Sequence, residues 1–151
     1  MSYYMAVHLV SAVIWVGGMF FAHMVLRPAS LALEVPERVQ LWFGVLNRFF
    51  PWVWLSVVLL PLTGYIMALV EFDSSMADLG LHIHIMQGLG IIMILLFLYV
   101  FFVPFQTMRK RVSECLFPEA GMYMNRIRIA VTINLVLGLL VTLVASAGRY
   151  W

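Results

Sequence analysis

The feature that most constrains this chain is a set of four long stretches without a single Asp, Glu, Lys or Arg, over residues 3–26, 49–70, 79–108 and 129–148. A helix needs about 20 consecutive apolar residues to cross the hydrocarbon core of a bilayer. Inside that core the backbone must satisfy its own hydrogen bonds, which favours helices. With 64% hydrophobic residues, the sequence predicts an all-α integral membrane protein with four transmembrane helices in one bundle.

The stretches between these segments are too short for a separate soluble domain, so residues 1–151 are expected to form one transmembrane domain. We place the spans at residues 4–26, 50–70, 80–107 and 129–148. Residues 28–48 mix charged and apolar side chains, which predicts an amphipathic connection along the cytoplasmic surface. The first stretch has no basic residue before its apolar run, so we interpret it as a retained span rather than a secretory signal.

Basic residues near helix ends remain on the cytoplasmic side, and this rule predicts the orientation. Eight of the nine basic residues fall around the first and third connections, whereas the second holds only acidic ones. Both termini should therefore face the periplasm, in a multi-pass protein of the bacterial inner membrane. The net charge of +2 follows from this topology and therefore says nothing about nucleic acid. The expected partner is the lipid bilayer, and no nucleic-acid partner is predicted.

Three of the four histidines lie near the end of the bundle predicted to face outward. His8 is near the start of the first span, and His82 and His84 are near the start of the third. His23 lies roughly 22 Å further along the first helix at 1.5 Å per residue, so it cannot share a site with them. Imidazoles in membrane helices usually face the bundle interior and often mark a function.

Two histidines that approach from different helices suit a haem with two axial imidazoles. We predict His8 and His82 as the iron ligands of haem b and His84 as a neighbouring group. Trp15 is a candidate to stack on the ring, with a core aromatic as the alternative interpretation. Arg149, the sole outward basic residue, would pair with a propionate. Four glycines could make room for the macrocycle: Gly17, Gly18, Gly88 and Gly90.

Copper is the alternative, because Cu(I) favours methionine sulfur and histidine nitrogen. The chain has 11 methionines, and His82, Met86 and Met93 fall on one face of the third helix. Methionine also fills gaps in apolar bundles, so this ladder leaves both the copper and the packing interpretations open. Under the copper hypothesis the ligands are His82 and Met86.

Several segments resemble one known group of membrane proteins. "HLVSAVIWVGGMFF" (residues 8–21), "NRFFPWVW" (47–54), "GLHIHIMQGLG" (80–90) and "NLVLGLLV" (134–141) are similar to the copper resistance protein D (CopD) superfamily and its HemJ-type protoporphyrinogen oxidase branch. The resemblance spans all four helices. It implies an inner-membrane bundle and, for the HemJ-type branch, a haem b held by histidines of the first and third helices, here His8 and His82.

This chain departs from that branch at one position of the third helix. The branch has Leu-His-x-Lys, whereas Leu81, His82 and Ile83 are followed here by His84. The resemblance therefore implies the haem site rather than the oxidase reaction, and whether the chain is a haem-dependent oxidoreductase stays open.

Three functional hypotheses follow from the sequence. The first is a haem b protein that transfers electrons or acts as an oxidoreductase near the periplasmic face, with a membrane redox partner or a quinone. The second is an accessory protein of copper transport or homeostasis. The third is a non-catalytic subunit of a larger respiratory complex, whose small-residue helix faces serve association, including association with a second copy of itself.

Overall fold

The computed structural model describes residues 2–71 and 80–147. This part of the chain contains four long helices and no strand. All four are long and apolar enough to cross a membrane, which confirms the predicted fold class. The helices are α1 (Tyr3–Ser30), α2 (Val35–Leu69), α3 (Leu81–Ser113) and α4 (Phe117–Ala147).

The helices extend beyond the predicted spans at the end of the bundle that holds most basic residues. Helix α2 begins at Val35, with Pro36 in its first turn, where the missing N–H costs no hydrogen bond. The segment predicted as the surface connection, 28–48, contains the end of α1, a turn over residues 31–34 and the first turns of α2. At 35 residues, α2 is about 50 Å long and exceeds the thickness of the hydrocarbon core.

In the residues that the structure describes, three stretches with wider π-type turns interrupt the regular helices: Val13–Gly17, Ala22–Leu26 and Phe101–Phe105. Proline accounts for two of them. Pro104 lies inside the third stretch and Pro28 follows the second, and each lacks the N–H that an α-helical bond to the preceding turn needs. Such turns widen a helix locally and often occur near functional sites.

Helix α4 is the most central element of the bundle, because it packs along α3 and also contacts α1 and α2. Helix α1 packs mainly on α2. The middle of the bundle is filled by edge-to-face aromatic pairs around Phe50 and Phe97, including Phe50 with Phe105 at 4.6 Å and Trp54 with Phe97 at 5.2 Å between ring centroids. This aromatic core leaves one cavity toward each end of the bundle.

The turn between α3 and α4 is held by an ion-pair group outside the apolar spans. Arg111 pairs with Glu114 at 3.0 Å and with Glu119, in the first turn of α4, at 3.1 Å. Cys115 adopts a positive φ of 57°, and the Leu116 N–H donates to the Arg111 carbonyl at 2.9 Å. This is the usual way in which a left-handed residue ends a helix.

Candidate functional site

An apolar cavity of about 210 Å³ lies between the four helices at the end of the bundle that carries His8. We call it the outer cavity, since the basic-residue pattern predicts that this end faces the periplasm. Its lining includes these residues: His8, Ala12, Trp15, Val16, Leu60, Pro61, Gly64, Tyr65, Ala68, Ile83, Met86, Gln87, Gly90, Ile91, Met93, Ile94, Gly138, Val141 and Thr142. None of these residues is a carboxylate or a permanent cation.

The imidazole of His8 is oriented by a hydroxyl on the neighbouring helix. His8 Nδ1 lies 2.9 Å from Thr63 Oγ1, and the Thr63 hydroxyl donates its proton to the Leu59 carbonyl at 2.6 Å. Thr63 is therefore the acceptor and Nδ1–H the donor. A neutral imidazole protonated at Nδ1 keeps its lone pair on Nε2, so Nε2 is the nitrogen of His8 that can bind a ligand in the cavity.

Two methionines of α3 line the same cavity. Met86 is half-buried, and Met93 is 4% exposed. Gly138 of α4 makes space beside Met93, since a Cβ at Gly138 would lie 3.2 Å from Met93 Cε and 2.8 Å from Val16 Cγ2. The outer cavity thus combines one imidazole nitrogen with two thioether sulfurs in apolar surroundings.

A side-chain hydrogen bond joins α2 and α3 at this cavity. The Gln87 amide donates to the Tyr65 hydroxyl at 2.5 Å, and both residues line the cavity. Thr142 adds a third polar group, but its hydroxyl donates to the Gly138 carbonyl at 2.9 Å. Most polar groups of the lining therefore bind each other or the backbone, which leaves His8 Nε2 as the nitrogen base that the lining offers to a ligand.

The structure does not bring the other predicted imidazoles into the outer cavity. Ile83, Met86, Gln87 and Gly90 follow one another at helical spacing and face it, which places His82 and His84 on the flanks of that stripe. The His82 ring lies against the start of its own helix, where a Cβ on Gly80 would be 2.8 Å from His82 Cε1. His84 is exposed.

The remaining predicted site residues have other surroundings. Trp15 lines the cavity, is 3% exposed and packs edge-on against Phe97 at 6.3 Å between centroids, so it is also a core aromatic. A Cβ on Gly18 would overlap the Phe49 ring, whereas Gly17, Gly88 and Gly90 have open space. Arg149 lies outside the described residues.

Clusters of the common metal-binding side chains are missing from the part of the chain that the structure describes. No group of three or more His, Cys, Asp or Glu residues within it could hold a metal ion. The single cysteine, Cys115, is exposed in the turn between α3 and α4, at the opposite end of the bundle from His8. Any metal in the outer cavity would therefore bind to the imidazole and the thioethers.

One protein family matches most of the chain. The sequence model of copper resistance protein D (CopD) matches residues 43–147, which cover all of α3 and α4 and most of α2. The chain belongs to the CopD family. This membership and the four apolar helices make it a multi-pass protein of the inner membrane. No curated protein and no solved structure matches the chain significantly.

The CopD match contains the residues of α2, α3 and α4 that build the outer cavity, but not the histidine. Thr63, Met86, Met93 and Gly138 lie within the matched region, whereas His8 precedes it. The family relationship and the imidazole are therefore independent observations. His8 and the residues of the matched region line one cavity only because α1 packs against α2.

Sequence reasoning missed two contributors to the cavity. Thr63 is one of them, although a hydroxyl two residues after the mid-span Pro61 was a usable signal. The Tyr65–Gln87 pair is the other, and its partners are 22 residues apart on different helices. Nothing in the spacing of the sequence indicates which faces of α2 and α3 meet.

Proposed function

We propose that this CopD-family protein binds Cu(I) in the outer cavity, as cargo in the handling of copper at the inner membrane. The observation that carries the proposal is that His8, Met86 and Met93 line one apolar cavity in a chain whose family is named for copper resistance. Orientation of His8 by Thr63 supports it further, because Nε2 is left with its lone pair.

The ligand chemistry favours Cu(I) over harder cations. Thioether and imidazole ligands are soft or borderline and suit Cu(I), whereas carboxylate and carbonyl oxygens suit Mg²⁺ and Ca²⁺. Neutral ligands in an apolar cavity also leave the metal's charge uncompensated, which is costlier for a divalent ion than for a monovalent one. A site with one imidazole and two thioethers therefore favours binding of a soft monovalent ion, which is why Cu(I) is proposed as the cargo.

The residues do not fit the haem hypothesis as well. A haem with two axial histidines needs imidazoles on both faces of the ring, and in the described residues the outer cavity contains only His8. His82, the predicted second ligand, and His84, the predicted neighbouring group, do not line it. Haem b, electron transfer and oxidoreductase activity thus stay predictions of the sequence.

The test is a Cu(I) titration of the detergent-purified protein against a chromophoric Cu(I) chelator, under anaerobic reducing conditions. We expect one high-affinity Cu(I) per chain. His8→Ala, Met86→Leu and Met93→Leu should each weaken binding by about tenfold or more, since each removes a ligand. Met108→Leu is the matched control, because Met108 is fully buried but does not line the cavity.

Two results would overturn the copper proposal. One is the absence of Cu(I) binding by the folded wild-type protein. The other is an affinity that none of the three ligand substitutions changes. An absorbance spectrum of the same sample tests the alternative: a Soret band that His8→Ala removes would favour haem.

A further inference from the structure

A second cavity, of about 250 Å³, lies at the opposite end of the bundle. We call it the inner cavity. Arg27 of α1, Arg38 of α2 and Arg128 of α4 line it together. They lie on three different helices, so only the packing of these helices places all three side chains in the lining of one cavity.

These three arginines have no acidic partner among the described residues. The ion pairs found there all involve Arg111, and the lining of the inner cavity contains no Asp or Glu. Arg27 and Arg38 are half-buried, where like charges repel more strongly than in water. Such a cluster favours an anion and disfavours Cu(I), so the inner cavity does not continue the proposed copper site.

Other polar groups of the lining are already engaged. The Trp42 indole N–H donates to Ser30 Oγ at 3.0 Å, and the Ser30 hydroxyl donates to the Arg27 carbonyl at 2.8 Å. These bonds fix the end of α1 against α2 and hold the backbone of Arg27 in place. The guanidinium groups are therefore the main donors left for a ligand.

The inner cavity also explains the position of His23, which the sequence left without a partner. His23 Nδ1 lies 3.2 Å from Thr132 Oγ1, and the Thr132 hydroxyl donates to the Arg128 carbonyl at 2.8 Å. His23 Nδ1–H is therefore the donor to Thr132. This bond ties α1 to the turn of α4 that carries Arg128 and brings the imidazole beside the arginines.

The wall of the inner cavity toward the bundle centre is apolar. Met19 is 2% exposed, Leu46 5%, Phe50 4% and Ile127 3%, and all four line the cavity. A ligand that fills this space would place an anionic group among the arginines and apolar carbon against this wall. That division matches an amphiphile rather than a small inorganic anion.

We infer that the inner cavity binds the phosphate group of an anionic amphiphile, with Arg27, Arg38 and Arg128 as its cationic ligands. Arginine binds phosphate oxygens through two parallel N–H bonds. Basic pockets between membrane helices suit acidic phospholipid head groups, which the surrounding bilayer supplies. A soluble phosphate ester has the same phosphate chemistry, and the experiment separates these two sources.

The experiment measures thermal unfolding of the full chain in neutral detergent with added phosphatidylglycerol, phosphatidylcholine or glycerol phosphate. We expect phosphatidylglycerol to raise Tm by several degrees, because a ligand that binds only the folded state stabilises it. The double substitution Arg27→Gln with Arg128→Gln should remove most of this shift. Arg126→Gln is the matched control, since Arg126 is on the same helix but stacks on Tyr123 at 5.4 Å outside the cavity lining.

Glycerol phosphate could also raise Tm. If it does, and if the double variant loses this increase, the site would be assigned to a soluble phosphate compound. An equal shift with phosphatidylcholine, or a phosphatidylglycerol shift that survives the double substitution, would overturn the inference. If the double variant does not fold, Arg38→Gln alone replaces it. Native mass spectrometry then counts the acidic lipids retained per chain, and unchanged retention by Arg38→Gln would contradict the site.

Discussion

His8 Nδ1 and Thr63 Oγ1 lie 2.9 Å apart, which links the first helix to the C-terminal part of the second across 55 residues of sequence. Because the Thr63 hydroxyl donates to the Leu59 carbonyl, it accepts the Nδ1 proton and directs the free lone pair of the imidazole to Nε2. A single hydroxyl therefore sets both the orientation and the tautomer of the one histidine in the outer cavity.

Replacement of Thr63 by valine should weaken Cu(I) binding by about 10- to 100-fold, the usual effect of losing a partner that orients a metal ligand. Valine keeps the shape of threonine but cannot accept the Nδ1 proton. The chelator titration measures the change, and Thr63→Ser should restore most of the affinity. Ser56→Ala is the control, since Ser56 is buried on the same helix and its hydroxyl donates to the Trp52 carbonyl. Equal affinities for Thr63→Val and the wild type would refute the positioning role of Thr63.

Gly138→Ala should destabilise the bundle by about 1–3 kcal/mol, as is typical of overpacking. The new Cβ would lie 2.8 Å from Val16 Cγ2, so α1 or α4 must shift. Thermal unfolding in detergent should show a lower Tm. The comparison variant is Gly88→Ala, where nothing lies within 4 Å of the added carbon and the higher helix propensity of alanine should leave Tm unchanged or raised. A lower Tm for Gly88→Ala than for Gly138→Ala would contradict this account of the packing.

Asn134→Leu should stabilise the protein by about 1 kcal/mol. Asn134 is 4% exposed, and its Oδ1 has no hydrogen-bond partner within the described part of the chain, so its removal relieves a desolvation cost. The free energy of unfolding measured with denaturant in detergent tests this. A clear loss of stability would instead indicate a bound water, for which the adjoining cavity of about 20 Å³ has room.

Cys115→Gly should raise stability by a few tenths to about 1 kcal/mol. Cys115 is exposed and has a φ of 57°, a conformation that glycine adopts without the steric cost of a Cβ. Cys115→Val should have the opposite effect, because a β-branched residue is strained there. Thermal unfolding of the two variants provides the comparison, and the same Tm for both would show that this turn relaxes freely.

The number and type of the helices could be predicted from the sequence because they depend on local properties. Four uncharged stretches of sufficient length require four membrane helices whatever their contacts, since a bilayer leaves the backbone no other hydrogen-bond partner. The helix lengths were harder to predict from the sequence. Helix α2 begins at Val35, in a stretch whose mixed charged and apolar residues had suggested a surface segment.

The composition of the two cavities was decided by tertiary structure. Sequence spacing indicated that His8 faces the interior, and His8 does line the outer cavity. The spacing could not show which face of α3 meets the outer cavity. The prediction paired His82 with His8, whereas Met86 and Met93 are the residues of α3 that line the cavity with His8. A rotation of about 100° per residue separates His82 from Ile83, and only packing against α2 and α4 fixes which of them faces inward. The arginines of the inner cavity likewise meet only when three helices pack together, because no local pattern joins residues 27, 38 and 128.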